Sequence, residues 1–257
     1  MCIRDRSLGV GQGNVQCIVD RDVDLSEAAK KILIGRSFDN GLICLGEQTA
    51  FVPEEKFTTF VEELEKHGGY YIADPEQVEK VREGLFPESG PLNRAVVGLE
   101  AAQVGETIGI SVPPQTKAII VKAQSIGHKE VLCREKLCPV LTLYPYKDFE
   151  DGVAMMVENL EYEGKGHSIA VHSNTSEHVE YAAIQCAVSR VIVNQSAGTT
   201  GGGSPTNGFI ATTTLGCGSW GNNSFSGNLS HKHFMNITHV GYPFAKSYLP
   251  DPEMAWE

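Results

Sequence analysis

Short apolar runs alternate with helical periods over most of this 257-residue chain, and that alternation restricts its fold more than any other feature. Asp24 to Leu33 carries Leu25, Ala28, Ala29, Ile32 and Leu33 at helical spacing, with acidic residues at its start. Thr49 to Val52 reads as a strand. Pro53-Glu54-Glu55 then opens a helix whose Phe57, Phe60, Val61 and Leu64 form one stripe, stopped by Gly68-Gly69. Pro75 to Leu85 repeats the pattern with proline at its start. Ala118–Val121 and Val140–Tyr144 are short strand runs, and the second leads into an acidic-capped helix over Asp148–Leu160. Ser168–His172, Glu177–Ala187 and Arg190–Val193 read as strand, helix and strand. Parallel strands need long crossovers, so this order predicts an α/β fold: a mainly parallel sheet with helices on both faces.

The pattern ends near Ser196. Gly, Ser, Thr and Asn dominate from there through Ser230, which predicts irregular loops, and Trp220 and Phe225 within them predict an ordered loop region rather than a flexible linker. Pro250–Glu257 reads as an acidic tail. At the other end, MCIRDRS resembles a translated sequencing-adapter remnant, so residues 1–7 are expected to be non-native; the other reading is an ordinary N-terminal arm.

Within this frame, Ser37–Gln48 (SFDNGLICLGEQ) carries the strongest chemical signal. Asp39-Asn40-Gly41 is turn-prone, because Asn and Gly tolerate the positive φ of a tight bend, and Cys44 follows at the start of a mostly apolar run. A lone thiol behind such a turn is how a nucleophile is presented from a loop; the alternative is one more small buried hydrophobe. Cys217, in Leu215–Trp220, is the rival nucleophile. Its flanking glycines allow close backbone approach but give it no base or positive charge to lower its pKa.

Other motifs carry less. Gly9–Asn14 (GVGQGN) misses the dinucleotide-binding spacing, and Asp20, Asp22 and Asp24 follow where a phosphate would be repelled, so a tight glycine turn beside the active site is expected. His231 and His233 lack a third ligand at useful spacing and read as surface histidines. Cys133 and Cys138 read as small buried side chains. No metal site is expected. A net charge of -11 argues against a nucleic-acid partner, and no apolar run is long enough for a membrane span. Seven cysteines, odd in number and without a CxxC pair, suggest neither a disulfide framework nor a zinc knuckle, and point to a reducing cytoplasm.

Taken together, five segments in order resemble the C-terminal catalytic part of a coenzyme A-acylating aldehyde dehydrogenase: Gly9–Asn14 with Asp20–Leu25, the Cys44 loop, Arg134–Val140 (REKLCPV), Gly166–Ser173 (GHSIAVHS) and Leu215–Ser224 (LGCGSWGNNS). The chain is similar to acetylating acetaldehyde dehydrogenases and to the aldehyde dehydrogenase half of bifunctional aldehyde–alcohol dehydrogenases. The resemblance implies that Cys44 attacks the aldehyde, that NAD accepts hydride, and that coenzyme A takes the acyl group from the cysteine thioester. It also implies cofactor-binding roles for Glu135, Leu137 and Gly11, and half of an oxyanion hole from the Cys44 N–H. Hydrolytic relatives carry a glutamate base where Val10 aligns; an apolar residue there cannot deprotonate water, which favours transfer to a thiol over release of an acid.

The resemblance further implies a catalytic domain over residues 8–205, and a loop region with a possible oligomerisation element and tail over 206–257. The family's N-terminal NAD-binding domain is expected to be largely missing, so the isolated chain is expected to show little dehydrogenase activity. Acetaldehyde is the default substrate, with sulfoacetaldehyde and succinic semialdehyde as alternatives; the full-length form is expected to be a homo-oligomer. A non-catalytic assembly fragment is the competing reading of another class.

Overall fold

The computed structural model describes Cys2, Ile3 and residues 6–243. Met1, Arg4, Asp5 and the expected acidic tail Pro250–Glu257 lie outside the described residues.

Seven strands form one sheet: β1 (Val15–Val19), β2 (Glu47–Pro53), β3 (Gly69–Ile72), β4 (Ala118–Lys122), β5 (Val140–Tyr146), β6 (Ile169–His172) and β7 (Val191–Val193). Their order is β3-β4-β5-β2-β1-β6-β7, and every neighbouring pair is parallel. The expected parallel sheet is therefore present, with α1 (Leu25–Ser37), α2 (Phe57–Lys66), α3 (Pro75–Leu85), α4 (Ala101–Ile108), α5 (Phe149–Tyr162), α6 (Ser176–Gln185) and the single turn α7 (Ala197–Thr200) around it.

Side-chain alternation along β1 divides the core into two layers. Val15, Cys17 and Val19 pack with Ala29, Ile32 and Leu33 of α1 and Phe60 and Leu64 of α2. Ile18 faces the other way, onto Val153, Met156 and Leu160 of α5 and Ala182 of α6. On the same face but at the other end of the order, α3 and α4 cover β3 and β4 through Val81, Leu85 and Val104. Helix starts follow the sequence cues. Asp24 accepts from the Glu27 N–H, and Asp74 accepts from the Glu76 N–H with Pro75 in the first turn.

The Gly-rich segment is ordered in part by a hairpin of β8 (Leu215–Cys217) and β9 (Ser226–Asn228), apart from the main sheet. Among the described residues no helix is long and apolar enough to cross a membrane.

Because all seven strands run the same way, their amino ends share one edge. The segments that enter β1, β2, β5, β6 and β7 are thereby brought together, and four of the five resemblance segments lie wholly or partly on them.

Candidate active site

Cys44 lies in the loop that joins α1 to β2. Its approach is a tight left-handed bend: Asp39 (φ 49°), Asn40 (φ 49°) and Gly41 (φ 74°) all carry positive φ, as the turn chemistry predicts. Asn40 Nδ2 anchors the bend by donating to the Gly98 carbonyl at 3.0 Å. The loop is strapped from beneath by the buried Arg36. Its Nη2 donates to Gly41 O at 2.6 Å and its Nη1 to Glu47 O at 3.2 Å, so one side chain holds both ends of the loop.

The glycine turn before β1 closes onto this loop. A Cβ placed on Gly13 would lie 2.7 Å from Cys44 Cβ, so only glycine allows the approach. Two residues earlier, Gly11 packs on the second cysteine: a Cβ there would lie 3.1 Å from Cys217 Sγ. The turn is thus wedged between the two thiols. Gly166, entering β6, fits equally tightly against the hairpin, where a Cβ would lie 2.7 Å from Gly221 N.

Glu135 comes from the segment entering β5. Its own N–H donates to Glu163 Oε1 at 2.8 Å, and Arg134 Nε donates to Glu163 Oε2 at 2.9 Å. The Gly13 backbone N–H favours the charged form of the Glu135 carboxylate, which links it electrostatically to the turn beside Cys44. Lys136 is fully buried and stitches this segment to β2, its Nζ donating to Gln48 O at 3.0 Å. Leu137 is half-buried and has φ 47°, a conformation that favours glycine; its carbonyl accepts from the Gly98 N–H at 2.9 Å. Behind these segments a buried polar ladder fixes the strand starts. Asn14 Nδ2 donates to Glu163 O, Gln16 Nε2 to Asn14 Oδ1, and Thr49 Oγ1 and Asn159 Nδ2 both to Gln16 Oε1.

The charges at this edge set its chemistry. Burial pushes the Cys44 thiol up to about 11, the Glu135 carboxylate adds to the rise, and Arg190 opposes it. Burial, with Glu163 nearby, pushes Glu135 up to about 7. The helix carboxyl ends of α1, α5 and α6 also point to this edge, and their partial negative charge disfavours an anion. Among the six cysteines whose burial is described, Cys44 alone is half-buried, while Cys17, Cys133, Cys138, Cys186 and Cys217 are buried. Cys217 departs from the sequence expectation, because a cation does reach it: Arg190 donates from Nη2 to the adjacent Gly216 O at 2.9 Å. Sequence gave no sign of this, since the partner lies 26 residues away.

The remaining candidates separate from the site. Cys133 and Cys138 are buried as expected. His231 is exposed, and His233 turns back onto Ser230 and the Phe225 ring. No group of three metal-ligating side chains occurs among the described residues.

Comparison with known proteins bears on the fold and its kinship. No family model matches the chain. It is 43% identical over 248 residues to the succinate-semialdehyde dehydrogenase (acetylating) of Clostridium kluyveri, covering 96% of this chain and 54% of that protein. It is 34% identical to the sulfoacetaldehyde dehydrogenase of an Acholeplasma species, covering 96% of this chain and 51% of that one. The solved acetylating aldehyde dehydrogenase from Geobacillus thermoglucosidasius matches with a TM-score of 0.87 at 30% identity, over 95% of this chain and 53% of that structure. This chain is a homologue of the acylating aldehyde dehydrogenases. It spans about half the length of the curated relatives it matches. The α/β sheet is thus the acylating aldehyde dehydrogenase architecture.

Proposed function

We propose that this chain carries the nucleophile of a CoA-acylating aldehyde dehydrogenase, with Cys44 as the catalytic residue. The observation that carries this is the accessible Cys44 thiol on a strapped loop, at the one edge where the family-like segments converge. The Cys44 sulfur adds to the aldehyde carbonyl, and loss of hydride leaves an acyl thioester on Cys44. Coenzyme A thiolate attacks that acyl carbon, the bond to Cys44 Sγ breaks, and acyl-CoA leaves; the exchange runs equally well in reverse. Val10 stands where hydrolytic relatives carry their base, and its exposed apolar side chain (53%) cannot deprotonate water, which supports survival of the thioester until a thiol arrives.

NAD, when bound, supplies the hydride acceptor. The residues present suit the nicotinamide end of such a molecule: the Glu135 carboxylate as an acceptor for ribose hydroxyls, Leu137 as an apolar neighbour of the ring, and Gly11 in the turn that leaves room beside the thiols. Phosphates fit this edge poorly, because helix carboxyl ends face it. Residues 8–205 would make up the catalytic domain, and 206–257 the loop and assembly region. A cytoplasmic homo-oligomer belongs to the same proposal.

A small aldehyde such as acetaldehyde is the first substrate reading. The 43% identity to a protein named for succinate semialdehyde favours a second, an aldehyde bearing an acidic group, of which sulfoacetaldehyde would be another example. Incubating the chain with acetyl-CoA or succinyl-CoA and mapping adducts by mass spectrometry tests both. Acylation confined to Cys44 is expected, and the preferred donor names the substrate. Absence of any acyl adduct, with all cysteines equally slow to alkylate, would instead mark a non-catalytic assembly module.

A further inference from the structure

Glu163 follows the last turn of α5 with its side chain only 9% exposed, and its oxygens serve two distant segments at once. Oε1 accepts from the Glu135 N–H at 2.8 Å and Oε2 from Arg134 Nε at 2.9 Å, both before β5. Its carbonyl accepts from Asn14 Nδ2 at 2.9 Å, one residue before β1. The chain then turns at Gly164 (φ 93°), where a Cβ would lie 2.3 Å from Asn14 Cβ, so the end of α5 sits directly on Asn14. In the sheet, β5 and β1 flank β2, the strand that the Cys44 loop enters. Glu163 therefore joins the segments on either side of the Cys44 loop.

Neither neighbour of Glu135 depends on Glu163 alone for its attachment. Lys136 donates from its N–H to Gln48 Oε1 at 3.1 Å and from Nζ to Gln48 O at 3.0 Å. The Arg134 guanidinium donates from Nη1 to Gly90 O at 2.8 Å and lies over the Phe86 and Tyr162 rings. Asn14 is held a second time by Gln16, whose Nε2 donates to its Oδ1 and to its carbonyl. With both neighbours tied elsewhere, the bond from the Glu135 N–H to Glu163 sets the orientation of that one residue and of the side chain it carries.

We propose that Glu163 is a positioning residue, which fixes the Glu135 carboxylate beside the Cys44 turn to receive the ribose hydroxyls of the nicotinamide end. This rests on the reading of Glu135 as that acceptor. The Cys44 loop is strapped separately by Arg36, and Asn14 bonds to the main chain of Glu163. Loss of the Glu163 side chain therefore frees Glu135 and leaves the thiol in place.

The probe is nicotinamide riboside, titrated into the full chain at pH 8 and followed by saturation-transfer NMR. Acylation of Cys44 by acetyl-CoA or succinyl-CoA is measured beside it, in the wild type, Glu163→Ala, Glu163→Gln and Arg134→Gln. Glu163→Ala is expected to weaken riboside binding about tenfold while Cys44 acylation stays within about twofold. Arg134→Gln keeps the bond between Glu163 and the Glu135 N–H, and is expected to bind the riboside within about twofold of the wild type. Undiminished riboside binding in Glu163→Ala overturns the proposal. So does a parallel loss of binding and acylation, which is what general loosening of this edge would produce. An equal loss in Arg134→Gln overturns it too, because the ion pair and not the Glu135 bond would then be responsible. Should Glu163→Ala fail to fold, Glu163→Gln decides. Its single acceptor oxygen cannot serve both Arg134 and Glu135, so riboside binding is expected to fall by about threefold or more with acylation kept, and unchanged binding overturns the proposal. A wild-type chain that acylates Cys44 but binds no riboside would defeat the Glu135 reading, and this proposal with it, while leaving the thioester chemistry standing.

Discussion

Arg36 Nη2 donates to the Gly41 carbonyl at 2.6 Å, closing the mouth of the Cys44 loop from inside the protein. With Nη1 on Glu47 O, the same guanidinium spans the loop from its left-handed entry to the first residue of β2. Leu45 anchors the loop in the core, with Ile43 and Cys44 packed against it, and the polar closure of its two ends falls to this buried cation, positioned by the last turn of α1, where a positive charge also suits the helix end.

Arg36→Gln should accordingly cost about 3 kcal/mol of stability, since the carbonyls of Gly41 and Glu47 lose a charged donor in a buried setting. Acyl transfer to Cys44 should fall more steeply than stability, because the loop loses its closure before the sheet melts. Urea unfolding and acyl-CoA labelling under native conditions check the two effects. A variant of wild-type stability with full labelling would show that the strap is dispensable.

Glu47 makes stability depend on pH in a definable direction. The side chain is fully buried; Oε1 accepts from the Ala197 N–H at 2.7 Å and Oε2 has no partner. Burial pushes the carboxyl up to about 7 from an ordinary 4.5. Between those values the native state keeps a proton that the unfolded chain has released, so stability from this group is lost as pH rises through the window and levels off above it. The total is about 3 kcal/mol. Glu47→Gln cannot ionise and should gain on the wild type by roughly 2–3 kcal/mol between pH 4.5 and pH 8 in urea titrations. Taking the difference cancels His167 and His172, which burial pushes down to about 3 and about 4 and which also titrate on unfolding. A difference independent of pH would mean that Glu47 ionises in the native state just as it does in the unfolded chain.

Much of this architecture is legible in the chain because it depends on local signals. Asp24, Asp74 and Pro75 start helices where capping predicts, and the apolar runs at Thr49, Ala118 and Val140 become β2, β4 and β5. The Asp39–Gly41 bend and the half-buried thiol after it are legible for the same reason. β1 was not anticipated, because Gln16 interrupts its apolar run; that glutamine is buried in the polar ladder, where Thr49 and Asn159 satisfy it. α4 leaves no clear pattern either, being short and rich in small residues. Arg36 and Arg190 read as ordinary polar positions, since their partners are backbone carbonyls brought near only by the fold. A bond to a distant carbonyl leaves no pattern in sequence.

Glu135 should restrain Cys44 only while it is charged. Its carboxylate raises the thiol, and burial places its own ionisation near pH 7. Glu135→Gln should therefore speed Cys44 alkylation at pH 8 by roughly threefold or more, with the two rates converging near pH 6, where the wild-type carboxyl is already protonated. Equal rates at pH 8 would remove Glu135 from the electrostatics of the thiol. A gain that persists at pH 6 would assign its effect to shape instead of charge.

Gly13 and Gly9 differ sharply in what surrounds them, and the pair gives a steric test of the site. A Cβ on Gly13 would press on Cys44 Cβ at 2.7 Å, and the strapped loop has no slack to yield. A Cβ on Gly9 meets nothing within 4 Å. Gly13→Ala must therefore either displace the Cys44 loop or pull the turn away from Cys217. Either movement changes how the thiol sits against the turn. Acyl transfer from acyl-CoA should drop by at least about tenfold in Gly13→Ala, a loss of the size that small misplacements of reacting groups produce. Gly9→Ala should label like the wild type. The sheet lies below this contact and most of its core is untouched, so circular dichroism should show both variants folded, with Gly13→Ala less stable by about 1–3 kcal/mol. Full labelling of Cys44 in Gly13→Ala would mean that the thiol reacts from a position the turn does not govern.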